Sequence, residues 1–404
     1  MEFPTKAEAK LSAKTTGLAL FLLAVGALTS ISLLSAFQAV IAVAAGLSFF
    51  QIRRVRIPTS AWVLVALAFV MGLSVFFNFS LYERPWKAFF KIRYYLVGAL
   101  SIVPLSFYFN EYLSREKREV VLRRLFQLLV LAANLGAVSG MIGYWTGFNP
   151  LRLAQVDTHR NAGTFGLSIT YGHSIAWFSV FLISFWFHRK QWSKWFPDWY
   201  LAVSIVVSAI SLFTSHTRGA ILAWLAGCLA IHRKIALVGL VLFALGSVGA
   251  ALINKDFVPN QVIRDGSNAE RLGCWMGAWQ AFKNKPVLGY GFLNYDPYST
   301  EIKKEHQFPR PDFQGNAHSD LLELLASTGV FGFFFFILWI VTWSRDLALR
   351  GKLTRALVMP FVVAFLISGL TQVTFTTSEN LIFLMAVYAL SVVLENCQNG
   401  FSDK

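Results

Sequence analysis

The chain has 404 residues, 56% of them hydrophobic and only 14% charged, with a net charge of +15 at neutral pH. A soluble protein of that length divides into domains with polar surfaces. Here apolar runs recur from end to end, so lipid is the solvent and residues 1–404 read as a single transmembrane bundle. The positive charge matches the basic loops that orient multi-pass proteins, and no nucleic-acid partner is expected from it.

Roughly 20 apolar residues, at about 1.5 Å each, cross a hydrocarbon core. On that measure the predicted spans are 15–33, 34–52, 59–78, 94–109, 125–146, 166–187, 199–213, 219–231, 235–253, 321–343, 356–374 and 381–396. The expected fold is therefore all-α and polytopic, with about 12 transmembrane helices. Lys6, Lys10 and Lys14 ahead of the first span resemble the start of a signal peptide. No convincing small-residue cleavage site follows, and that span reads as an uncleaved helix.

Loops rich and poor in basic residues alternate. The rich set holds Arg53, Arg54, Arg56, Arg115, Lys117, Arg118, Arg123, Arg124, Arg189, Lys190, Lys194, Arg233, Lys234, Arg345, Arg350, Lys352, Arg355 and Lys404. The positive-inside rule makes that face cytoplasmic, with both termini on it. The opposite face, periplasmic in a bacterial inner membrane, then carries one large loop, 254–320, containing short helices. Cys228, Cys274 and Cys397 fall far apart and in different compartments, so neither a disulfide nor a zinc site is expected.

Basic residues in short outer segments oppose this orientation and need a second reason. In "SLYERPWKAFFKIR" (80–93) Lys87 and Lys91 lie one helical turn apart. They suit either an interfacial helix with snorkelling stems or one lysine turned toward an anionic ligand. In "DTHRNAGTFG" (157–166) Arg160 is followed by Gly163 and Gly166, where backbone amides can approach an anion. In "SHTRGAILAW" (215–224) Arg218 sits in a tiny turn between uncharged helices, a costly place for a guanidinium that lacks a partner.

The large loop contains "NAERLGCWMGAWQAFKNKPVLGYGFLNY" (268–295). Trp275, Trp279 and Phe282 form an apolar stripe on a helix that stops before Pro286, suited to lying on the outer leaflet. Arg271 lies one turn before Trp275. The "GYG" at 289–291 is too short to be claimed as a phosphate loop. In "NAHSDLLELL" (316–325) His318 stands at a helix entrance with Ser319 and Asp320 as candidate caps. With an unperturbed pKa near 6.5, its imidazole can take a proton from a hydroxyl at neutral pH. Glu379, in "TTSEN" between the last two spans, is an outer carboxylate able to orient a base or pair with an arginine.

Apart from His173 and Glu323 the span interiors hold almost no ionisable residue. Ion-coupled transporters carry such groups at mid-depth. Titratable groups crowding the outer ends suit chemistry at a lipid headgroup instead. A lipid-linked-sugar or polysaccharide transporter is the rival from another class, and it leaves a histidine among the outer basic residues unexplained.

Three blocks, "SHTRGAILAW", "ERLGCWMGAWQAFKNKPVLGYG" and "NAHSDLLELLASTGVFG", with "HRNAGTFG" as a looser fourth, resemble the O-antigen ligase and polymerase superfamily of bacterial membrane glycosyltransferases. The resemblance implies a metal-independent enzyme without cofactor. Its donor would be an undecaprenyl-diphosphate-linked glycan and its acceptor lipid A–core, with membrane lipids around it. His318 would be the base, Arg218 and Arg271 would share in catalysis, and Arg160, Arg218, Arg271 and Lys87 would hold the diphosphate, with Glu379 in support. His216 and Thr217 depart from the family pattern between Ser215 and Arg218, as does Ser319, where the family often has Asn. Length, the span count and the single dominant loop favour the ligase over a polymerase of the same superfamily.

Overall fold

In an apolar solvent every backbone N–H and C=O must find a partner within the chain, and helices satisfy this locally. The computed structural model of the protein is accordingly nearly all-α. It describes residues 6–49, 55–192, 195–234, 236–241 and 265–394. Most of the expected span 235–253, loop residues 254–264, Arg53, Arg54, Lys194, Cys397 and Lys404 lie outside the described residues.

The helices are α1 (Lys6–Gly26), α2 (Ile31–Leu47), α3 (Thr59–Phe77), α4 (Pro85–Leu100), α5 (Ile102–Ser106), α6 (Arg115–Thr146), α7 (Ser168–Phe187), α8 (Asp198–Thr214) and α9 (Arg218–Ile231). After the undescribed stretch come α10 (Asp265–Asn284), α11 (Tyr295–Glu305), α12 (Asp320–Leu349), α13 (Lys352–Thr371) and α14 (Ser378–Val393). One two-residue hairpin, Phe148–Asn149 against Ala154–Gln155, interrupts the pattern. Among the described residues seven helices are long and apolar enough to cross a membrane, and four shorter apolar ones, α2, α8, α9 and α14, accompany them.

Two expected boundaries move. The first pair of helices separates at 27–30 and not at 33–34, because Ser30 caps α2 by accepting the Leu33 N–H at 3.3 Å. The basic segment 85–93 is not a separate interfacial helix. It is the start of α4, which continues through α5 and a π-helical turn to Tyr112 as one span.

The core is aromatic. Trp339 and Trp343 stack at 5.3 Å, and Phe375, from the loop after α13, sits 4.8 Å from Phe336, 5.0 Å from Tyr95 and 5.6 Å from Trp339. Elsewhere small hydroxyl residues let helices approach closely. Ser208 donates to Ser179 at 3.0 Å between α8 and α7, and Trp224 of α9 donates to the same oxygen.

The feature that positions the site is a break in α12. Gly329 has φ 65° and ψ −162°, a conformation essentially confined to glycine, and it opens the helix for one turn. The segment Pro286–Gly291 occupies the opening. Tyr290 N donates to Ala326 O (2.9 Å), Gly291 N to Ser327 O (2.9 Å), and Val330 N to Pro286 O (2.8 Å). A Cβ on Gly329 would run into the Val287 carbonyl. Gly329→Ala is therefore expected to destabilise the protein by about 3 kcal/mol or more. Thermal melting in detergent checks this, and an unchanged midpoint would contradict the account of the break.

Candidate functional site

The start of α9 meets α10 and the end of α13, the loop after α13 meets the start of α12, and the loop after α3 meets α11. The base candidate is held there from both sides. Asn316 accepts the His318 N–H at 3.0 Å, and Glu323, one turn into α12, reaches back to the Ala317 N–H at 2.9 Å. These two bonds set the tight entrance to the helix, in which His318 has φ 46°. Ser319 occupies the N-cap position but makes no side-chain capping bond.

Asp320 does not cap its helix. It is buried, and its carboxyl oxygens accept the N–H groups of Thr374 and Phe375 (2.8 Å each) and the Thr374 hydroxyl (2.7 Å). With Tyr95 donating to Phe375 O at 2.7 Å, this fixes the loop between α13 and α14. Gln372 opens that loop, and its Oε1 lies 2.7 Å from His318 Nδ1. An amide oxygen only accepts, so Nδ1 carries the proton and Nε2 keeps the lone pair that a general base needs.

The arginines approach from α8–α9 and α10. Arg160 donates to Ser215 O (3.2 Å), His216 O (3.2 Å) and Thr217 Oγ1 (3.3 Å), so it braces the α8–α9 turn. The extra residues of that turn are absorbed locally. His216, at φ 52°, turns away to Tyr144 (Nε2 to OH 3.1 Å), and Thr217 becomes the N-cap of α9. Arg218 then opens α9 and bonds Asn268 Oδ1 of α10 at 3.2 Å. The start of α9 touches the end of α13, where Gly219 lies against the Thr371 hydroxyl, next to Gln372.

Arg271 is half-buried on α10. Burial first and the Arg218 charge second weigh against its own charge, so the two guanidiniums stand close enough to repel. Its sequence neighbour Glu270 does not neutralise it, being paired with Arg310 at 3.1 Å. Arg271 also acts on His318. Burial pushes the imidazole below its usual 6.5, the Gln372 bond opposes this, and the charges of Arg271 and Lys303 add to the lowering while Glu270 resists it. His318 is thus neutral at physiological pH, beside two like charges that an anion would relieve.

Not every expected residue joins this group. Lys87 is exposed; Lys91, one turn further along α4, is half-buried and within electrostatic reach of Glu379 at the start of α14. Gly163, after Arg160, is not poised for an anion: its N–H is taken by Asn161 Oδ1 at 2.8 Å. Trp275 and Trp279 are exposed on the side of α10 away from its buried face of Cys274, Ala278 and Ala281. Cys228 and Cys274 are buried free thiols. His173 lies within α7, its Nδ1 2.8 Å from Ser368 Oγ of α13. Gln372 went unseen in the sequence, where a neutral amide at a helix end gives no signal.

With this geometry in place, residues 203–337 match the family model described as O-Antigen ligase. The matched segment runs from α8 into α12 and includes Arg218, Arg271 and His318; Arg160, Lys87, Gln372 and Glu379 lie outside it. The match bears out the resemblance to the O-antigen ligase superfamily and supports a membrane glycosyltransferase-like enzyme, without separating ligase from polymerase. No curated protein matches the chain.

The Asp320 clamp has a checkable energetic signature. Asp320→Ala leaves two buried N–H groups without acceptors and is expected to cost about 3 kcal/mol. Asp320→Asn keeps an oxygen for both amides, and its melting temperature in detergent should fall much less than that of the alanine variant. Equal losses from the two substitutions would argue against the clamp.

Proposed function

We propose that the protein is an O-antigen ligase of a bacterial inner membrane, moving a glycan from undecaprenyl diphosphate to lipid A–core on the periplasmic face. Both termini are then cytoplasmic, and 254–320 is the large periplasmic loop. The observation that carries the reading is the pairing of His318 Nδ1 with Gln372 Oε1 beside Arg271, itself next to Arg218.

In this reading His318 Nε2 removes the proton from an acceptor sugar hydroxyl as that oxygen attacks the donor's anomeric carbon. A new carbon–oxygen bond forms while the bond to the diphosphate oxygen breaks, and its electron pair leaves with the polyprenyl diphosphate. The configuration inverts in one displacement. Arg218 and Arg271 face the charge gathering on the leaving group, where fixed donors in a water-poor site act strongly. Arg160 keeps Arg218 in place by bracing its turn. Lys91 lies within electrostatic reach of Glu379, and in this reading it takes the part that the resemblance implies for Lys87. Positive charge comes from guanidiniums, so transfer is expected to survive EDTA.

Purified protein in detergent, given the lipid-linked glycan and lipid A–core, is expected to transfer without a sealed vesicle, whereas a transporter needs two compartments. His318→Ala should lower the rate by about 10²–10⁴-fold. Arg271→Lys should lower it by about 10²-fold, since a point charge does not replace the guanidinium fork. Transfer at the normal rate by His318→Ala would refute the base assignment. Glycan chains lengthening on the carrier, with none on lipid A–core, would identify a polymerase.

The acid limb of the rate profile is set by His318, whose folded pKa is lowered. Activity needs the neutral imidazole, so it is lost as pH falls, and the half-maximal point should lie below the usual 6.5. The kcat/KM profile reports the donor-free enzyme, and a limb above that value in it would mean another group titrates.

A further inference from the structure

Among the described residues Lys303 is one of the largest fully buried side chains, with 0% of its surface exposed. Nothing in the proposed reaction uses it. A buried ammonium is expensive unless its environment compensates it, so its retention calls for a reason.

Its surroundings are built to receive it. The stem runs from α11 along α10, where Gly273 and Gly277 lack the side chains that would block it. A Cβ on Gly277 would stand 3.1 Å from Lys303 Cγ and 2.8 Å from the Tyr295 hydroxyl, and one on Gly273 would run into Pro309 O. The ammonium donates to the Phe313 carbonyl and lies 5.5 Å from the centroid of the Phe313 ring. That ring is near-parallel to the His318 imidazole, at 22° and 6.3 Å between centroids. The lysine therefore ties down the strap that leads from α11 to the base, and its contacts end at the ring beside the base.

We infer that Lys303 is a positioning residue for His318, holding the Phe313–His318 ring pair in place and keeping a fixed positive charge beside the imidazole. The inference rests on His318 being the base. The other charges facing the imidazole are Arg271 and Glu270 from α10 and Asp296 from α11, with neutral Gln372 from the end of α13. Glu323 of α12 is spent on the Ala317 N–H. Lys303 and Arg271 both disfavour the imidazolium, while Glu270 and Asp296 favour it. Removing Lys303 leaves Asp296 and Glu270 opposed by Arg271 alone, so protonation of His318 becomes easier and its midpoint moves up.

The test reads the imidazole directly. Diethyl pyrocarbonate acylates neutral imidazole nitrogen, and mass spectrometry of the peptide carrying His318 gives its modification rate at each pH in purified, detergent-solubilised protein. In Lys303→Met, and in Lys303→Gln, which retains a donor for the Phe313 carbonyl, the midpoint is expected to rise. At pH 6 the rate, normalised to that at pH 8, should then be several-fold below wild type. Lys303→Arg, which keeps the charge, should restore the wild-type midpoint. Where neither neutral variant is recovered as a monodisperse species, Phe313→Leu leaves the lysine in place but removes the ring packed against the imidazole; with less burial, the largest cause of the lowering, the midpoint is expected to rise as well.

An unmoved midpoint in a folded neutral variant, or in Phe313→Leu, overturns the inference, as does a raised midpoint in Lys303→Arg. The readout needs no glycan transfer. Raised midpoints in the neutral variants, with a wild-type protein that transfers nothing, sink the proposed function alone. Wild-type transfer with an unmoved midpoint sinks the role of Lys303 alone.

Discussion

The break in α12 at Gly329 trades hydrogen bonds inside one helix for bonds to the Pro286–Gly291 segment. At membrane depth an unsatisfied backbone group costs several kcal/mol, so neither partner is stable without the other. The exchange is therefore cooperative: either the loop sits in the break or both elements are frustrated. Its consequence reaches the site. α10 ends at Asn284, just before the segment, and carries Arg271; α12 begins at Asp320, just after His318. Locking the two together sets the arginine against the imidazole, although 47 positions of chain separate them.

The same stretch of α12 governs the other flank of the imidazole. Asp320, in its first turn, holds the amides of Thr374 and Phe375, and Phe375 plugs the aromatic cluster formed with Phe336 and Trp339 further along the helix. Gln372 is thereby kept at the height of His318. Orientation of the base relies on backbone bonds and packing deeper in the bundle, and a site supported in that way keeps its geometry without a ligand. Buried carboxylates near the base are committed to this scaffold. Asp320 and Glu323 spend their oxygens on backbone N–H groups.

Much of the fold was readable because lipid imposes a length on apolar runs, and the described helices follow those runs closely. What composition could not show was where two adjoining apolar runs part. The 27–30 turn rests on one serine hydroxyl, and uniformly greasy sequence has no periodicity to mark it. Basic residues misled at 85–93, where a charged helix start resembles an interfacial segment. In the site, Arg218 and His318 were visible as polar groups out of place at the ends of apolar spans, and Arg271 as a charge one turn before an aromatic stripe in the large loop. Lys87 and Lys91 were indistinguishable, because only packing against α14 decides which of two lysines on one face is half-buried. The "GYG" of 289–291 reads in the sequence only as a glycine turn, and its use is an interlock between backbones. Nothing in the sequence singles out Lys303, since a buried lysine and an exposed one read alike there.

The charge balance around the imidazole gives the proposed chemistry its timing. With no donor bound, Arg271 and Lys303 disfavour the imidazolium, and Asp296 and Glu270 do not outweigh them together with burial. A diphosphate entering beside Arg218 and Arg271 brings negative charge to the same place. It relieves the repulsion between the guanidiniums and offsets the field that Arg271 exerts on His318. The imidazole then becomes a stronger base only once the donor is seated, and stronger again as charge builds on the leaving oxygen. A lysine sealed between α10 and α11 is not neutralised by that ligand, so its contribution persists through the cycle and adds to the lowering that burial chiefly causes. The arginines supply the part of the field that the substrate can switch, and the buried lysine supplies the part that it cannot.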